Sequence, residues 1–119
     1  MKTITLDGTK YVAEKDYNEL AKKKQGKTVV DGKSIPFVIG GKYFFRTVTY
    51  FATGRVVAIH SDFLELADAA WIADTGRFTQ ALATGLFSEI EPVTTTMGIN
   101  MNTISDYFVW EHDLPREQK

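Results

Sequence analysis

The sequence predicts a mainly β fold with minor α, in which short strands close into a small barrel or a strongly curled antiparallel sheet. Three observations point there. Turn-forming pairs recur along the chain at Asp7-Gly8, Asp31-Gly32, Gly40-Gly41, Thr53-Gly54 and Ser61-Asp62. The run Tyr43–Phe51 is rich in aromatic and β-branched residues, which suit a pleated, half-buried surface. Helix-capping signals appear at only two short stretches, so helix is a minor component. Closure or strong curling of the sheet is expected because it removes exposed strand edges.

In chain order, Thr3–Leu6 and Lys10–Val12 flank Asp7-Gly8 and form an N-terminal hairpin. Asp16 and Glu19 have capping-box spacing, Lys22, Lys23 and Lys24 suit a helix C-terminus, and Gly26 suits its end; a short helix is expected over Asp16–Gln25. Ile35–Ile39 reads as an edge strand, because Pro36 lacks a ladder donor. Tyr43–Phe51, Arg55–His60 and Phe63–Leu66 form a meander turning at Thr53-Gly54 and Ser61-Asp62. Ala67–Trp71 fits either a strand end or a helix start. A short inserted helix over Arg77–Thr84, capped by Thr75 and closed by Gly85, presents Phe78, Ala81 and Leu82 to the core. Glu89–Val93, Ile99–Met101 and Ile104–Trp110 are late strands, and the polar tail from His112 to Lys119 is expected to be loose at its end. The expected core is Phe44, Val48, Val57, Ile59, Leu64, Leu66, Trp71, Leu82, Ile90 and Ile104. The whole of 1–119 reads as one domain, with a hairpin and helix over 1–30 and the barrel over 35–111.

With 119 residues the chain is long enough for one real core without staples, and with no cysteine it has no disulfide, thiolate metal site or Cys nucleophile. Lys2 is followed by no apolar leader segment and no apolar run approaches the roughly 20 residues of a membrane helix, so a cytoplasmic protein without membrane partners is expected. The net charge of -1 conceals a polarity: residues 1–55 carry eleven Lys/Arg against five Asp/Glu, and residues 56–119 carry three against ten. Opposite charge on two segments can drive association between copies.

From Arg46 to Leu66, the order Arg-Thr-Val-Thr, a turn, Arg55-Val56-Val57-Ala58-Ile59, then Phe63-Leu64-Glu65-Leu66 resembles the central strands of Sm-like and SH3-like barrels. That resemblance implies ring or dimer formation through edge strands. His60, Phe63 and Leu64 stand where Sm-like RNA binders place a base-reading Asp/Asn arrangement, and Ile99-Asn100-Met101-Asn102 replaces the late Arg-Gly signature, so uridine reading of the Sm type is not implied. Over Arg46–Val93, a strand carrying Arg-Thr, a second ending near Leu-Ala-Asp-Ala-Ala-Trp, and a helix closed by Ala-Thr-Gly look like small proteins common in phage and prophage genomes. This second resemblance implies a virion part or an anti-defence factor.

Candidate chemistry is sparse. Asp74-Thr75-Gly76 matches the aspartic-protease triplet, yet Arg77 follows it and no glycine-rich flap segment comes after, so the match reads as coincidental and no enzyme is expected. His60 and His112 lack metalloprotease spacing, Asp62, Glu65 and Asp68 do not share a strand face, and Gly8-Thr9-Lys10 lacks the P-loop pattern; no metal and no cofactor is expected. Arg46, Arg55 and Arg77, with Tyr50 and Phe51, remain as candidate ligand-binding residues, offering guanidinium forks and aromatic faces to a phosphate or nucleobase. Arg46 lies on an apolar strand face and calls for a carboxylate partner such as Glu65 or Asp68. The expectation is an oligomeric binding module that holds a small anionic, nucleotide-like ligand. The alternatives are a virion or assembly component joined by opposed charge, and an RNA binder using Lys22–Lys24.

Overall fold

A computed structural model of the chain describes residues 3–6, 9–12, 27–30 and 32–119. The fold is mainly β and antiparallel, and it separates into two compact units, Met1–Gly41 and Lys42–Lys119.

In the first unit β1 (Thr3–Leu6) pairs with β2 (Thr9–Val12), the hairpin expected from Asp7-Gly8. The helix expected over Asp16–Gln25 lies outside the described residues. A second hairpin joins β3 (Thr28–Val30) to β4 (Lys33–Ile35), turning at Gly32, whose φ of 77° is costly for other residues. The strand thus precedes Pro36 and does not run to Ile39; Ile39 and Gly40 form a turn closed by the Gly41 amide donating to the Val38 carbonyl, 3.0 Å.

The second unit is built on a six-stranded sheet containing β5 (Lys42–Thr47), β6 (Phe51–His60) and β7 (Phe63–Asp74) as its meander. β8 (Glu89–Pro92) and β9 (Met97–Asn100) both pair with β7, and β10 (Ile104–Val109) pairs with β5. The meander makes its second turn at Ser61-Asp62 as expected, but its first turn lies elsewhere than Thr53-Gly54. Thr47 ends β5 because its Oγ1 donates to the Tyr50 carbonyl, 2.6 Å, and accepts from the Tyr50 amide, 3.0 Å, closing a side-chain-supported turn. Val48 is left 76% exposed at the tip of that turn and does not join the core. Gly54, expected in a turn, is buried in mid-strand opposite Tyr43. A Cβ there would lie 3.0 Å from both Cβ and Cδ1 of Leu66, so Gly54 serves close packing between strands.

The sheet is strongly curled. β9 ends at Asn100 opposite Phe63 of β7, and β10 begins at Ile104 opposite Thr47 of β5. Five strands laid flat would hold these edges about 19 Å apart. Four residues span at most about 14 Å, and the link here is a tighter 3-10 turn, Met101–Thr103. Met101 donates to the Asp62 carbonyl, 2.7 Å, and Val48 to the Thr103 carbonyl, 3.0 Å, which fastens this link at both ends. No ladder between β9 and β10 is present among the described residues.

Both faces of the sheet are buried. Phe45, Ala52, Val56, Leu64, Leu66 and Ile99 occupy one. Phe44, Ala70, Ile72 and Ile90 occupy the other, beneath α1 (Phe78–Thr84), Phe87 and Trp110. Phe44 is the hub of that second layer, with the rings of Phe51, Phe78, Phe87, Phe108 and Trp110 centred 5.3–6.3 Å from its own. α1 closes as expected, with Gly85 left-handed and its amide on the Ala81 carbonyl. Its start differs. Arg77 is the cap residue, without a side-chain cap bond, while the Thr75 hydroxyl donates to the Gly76 carbonyl. Of the expected core, Val57, Ile59, Leu82 and Ile104 are half-buried, and Trp71 is 46% exposed.

The tail is strapped down. Leu114 packs on the second layer, Arg116 donates to the carbonyls of Ala69 and Val93, and Lys119 exchanges both backbone hydrogen bonds with Ile90.

Candidate functional site

Of the five sequence-predicted binding residues, Arg46 and Phe51 are brought side by side, while Arg55 engages a separate carboxylate further along the sheet. Arg46 stands opposite Asp106 on one neighbouring strand and opposite Phe51 on the other. Its Nε donates to Asp106 Oδ1 at 2.7 Å and its Nη2 to Oδ2, a two-pronged fork. The guanidinium carbon lies 4.3 Å from the Phe78 ring centre, 5.5 Å from Phe108 and 5.7 Å from Phe51. One charged side chain thereby ties β10 and α1 to the sheet. The hydrogen bond from Arg46 holds the Asp106 carboxyl below the ordinary range, against the opposing cost of desolvation, and Asp106 in turn raises the Arg46 pKa. Arg46 does have a carboxylate partner, as the sequence led us to expect, but it is Asp106 and not Glu65 or Asp68. The pairing of β5 with β10, separated by sixty residues in sequence, decides it.

Arg55 is four ladder positions from Arg46, opposite Lys42, and so about 13 Å away along the strand. It donates to Asp68 Oδ2 at 2.9 Å, and Arg116 approaches the other Asp68 oxygen at 4.0 Å. These contacts lower the Asp68 pKa, the Arg55 hydrogen bond most. Asp68 sits at a bulge of β7 with φ of 52°, a conformation that aspartate tolerates better than most residues. Arg77 is exposed at the start of α1, and the half-buried Tyr50 lies in the β5–β6 turn.

The other candidates serve local structure. Asp74 Oδ1 accepts from the Gly76 amide at 2.8 Å, His60 Nε2 meets Glu65 Oε1 at 2.9 Å, and His112 Nε2 donates to the Leu82 carbonyl at 2.8 Å. Among the described residues no group of three or more His, Asp or Glu side chains could hold a metal ion, and no helix is long and apolar enough to cross a membrane.

What the sequence missed is the balance of exposed charge. Residues 42–119 hold six Lys/Arg against ten Asp/Glu. Four of the six cations are engaged within the unit: Lys42 on the His112 carbonyl, Arg46 on Asp106, Arg55 on Asp68, and Arg116 on the Ala69 carbonyl. None of the ion pairs among the described residues involves Asp62, Glu89, Glu91, Glu111, Asp113 or Glu117. Trp71 stands out on this acidic surface, directly opposite Glu91 in the β7–β8 ladder. The signal available in the sequence was Trp71 followed on the next strand by Glu89 and Glu91, but only the register makes them neighbours. No protein-family model, no curated protein and no solved structure matches the chain.

Proposed function

We propose that this chain is a non-enzymatic interaction protein that assembles with copies of itself through opposed charge. The observation that carries this reading is the acidic surface of residues 42–119, whose cations are mostly satisfied internally, set against eight Lys/Arg and five Asp/Glu in residues 1–41. An anion-sequestering role for Arg46 and Arg55 is less favoured, because a phosphate would have to displace Asp106 and Asp68, leaving Asp106 without its cation partner and Asp68 with only Arg116 at 4.0 Å.

Light scattering in line with size exclusion, with nucleic-acid and protein absorbance recorded across the peak, tests it. The expected result is a ligand-free species larger than the monomer whose mass falls between about 0.1 and 1 M salt, as the screening length drops from about 10 to about 3 Å. A salt-independent monomer would overturn the assembly reading. A discrete oligomer carrying nucleic-acid absorbance would replace it with nucleotide binding by Arg46, Arg55, Arg77, Tyr50 and Phe51, or with RNA binding by Lys22–Lys24.

A further inference from the structure

Trp71 on β7 is 46% exposed, while Trp110, the second tryptophan, is 3% exposed beneath α1. Its cross-strand neighbour is Glu91, with side-chain stems of such pairs about 5 Å apart. Glu89 is two residues from Glu91 on β8 and so projects on the same face, and both carboxylates are exposed. Glu91 accepts the Gln118 amide at 3.3 Å, a neutral donor that leaves its charge uncompensated. Lys119 lies beside β8 through its backbone exchange with Ile90, and its side chain makes no ion pair among the described residues. An aromatic face bordered by two unneutralised carboxylates is the chemistry that receives an alkylammonium group, the ring attracting the cation and its methylene stem while the carboxylates take its N–H donors.

The same chain carries a matching partner. Residues 22–27 read Lys-Lys-Lys-Gln-Gly-Lys, four cations without an acid, the densest positive run in the sequence. We propose that Trp71, Glu89 and Glu91 form the receiving face for the lysine-rich 22–27 segment of a second copy. This rests on the assembly reading above and gives it a definite contact: basic segment of one copy onto the acidic β7–β8 face of the next. Such a contact is heterologous, so it propagates into rings or chains unless two copies exchange segments reciprocally.

The test uses the full chain at low salt. Because Trp110 is buried, acrylamide quenching of tryptophan emission reports Trp71; protection that grows with protein concentration is expected. Trp71→Ala is expected to weaken association about fivefold, with Trp71→Phe recovering part of it. The double variant Glu89→Lys/Glu91→Lys and the triple variant Lys22→Glu/Lys23→Glu/Lys24→Glu should each lose self-association, and mixing the two should restore a complex. Far-ultraviolet circular dichroism confirms that each variant is folded, and both glutamates are exposed, so reversal leaves the core intact. Association of the Glu89→Lys/Glu91→Lys variant at wild-type strength would overturn this contact while leaving the assembly reading in place. Absence of wild-type association at every concentration would overturn both. Protection independent of concentration would assign the lysines of the same chain to the face and overturn the second-copy proposal.

Discussion

The Thr53 hydroxyl is fully buried between Phe44 and Ala70 and is the side-chain polar atom among the described residues that lacks a hydrogen-bond partner. A buried hydroxyl without a partner costs about 1–3 kcal/mol. Thr53→Val keeps the branched shape and removes that cost, so it should raise the urea midpoint and stabilise the protein by about 1 kcal/mol; a lowered midpoint would place a hidden acceptor at the site. Asp106 makes the opposite case. Its folded pKa is depressed from the ordinary 3.8 by the Arg46 hydrogen bond. The stability it contributes is therefore present above about pH 4 and is lost as the pH falls through the lower folded value. Because the Asp106 side chain is 40% exposed, solvent screening limits the effect. Asp106→Asn should cost about 1 kcal/mol at neutral pH and flatten the acid limb of a stability profile taken down to about pH 3. An acid limb unchanged by the substitution would show that the fork adds nothing to folding.

At the scale of elements, α1 is held by Phe78 under Arg46 at one end and by His112 at the other. Gly85 has φ of 76°, and a Cβ there would lie 2.5 Å from the His112 ring, so conformation and space both require glycine. Gly85→Ala should destabilise the protein by at least about 1–2 kcal/mol. In a His112→Ala background the penalty should shrink toward the conformational part alone, and a double-mutant cycle by thermal melting measures the difference. The C-terminal segment behaves as a further element. Deleting residues 114–119 removes the Leu114 packing, the Arg116 bond to the Ala69 carbonyl and the exchange with Ile90. The expected loss is about 3 kcal/mol, read as a lowered melting temperature; an unchanged melt would mean that the strap forms without stabilising the sheet.

For the whole molecule, assembly by opposed charge has a characteristic response. Exposed ion pairs contribute only about 0–1 kcal/mol each, so the proposed association would need several at once together with an apolar contact such as Trp71. Removing one outlying carboxylate, as in Glu117→Gln, should therefore change the dissociation constant by no more than about fivefold, whereas raising salt should weaken it progressively. A large effect of that single substitution would place Glu117 in the contact itself.

The sequence by itself determined the β class, the order of the late strands, the position and ending of α1, and the absence of thiol chemistry, because strand patterning, a left-handed glycine cap and composition are local properties. The tertiary structure decided what depends on partners distant in the chain. Thr47 and Tyr50 moved the first turn, since one hydroxyl could satisfy two backbone groups there. The glycine at 54 reads as a turn in isolation and proves to be space for Leu66. Trp71 reads as core by its hydrophobicity, but the β7 bulge at Asp68 resets which side chains share a face and leaves the ring half in water. Arg46 announced a need for a carboxylate; which one answers it depends on a ladder between β5 and β10 that no local pattern encodes. Of the binding residues inferred from type alone, the ladder joins Arg46 to Phe51 and holds Arg55 apart, and the acidic aromatic face was assembled by register from residues that the sequence holds twenty positions apart.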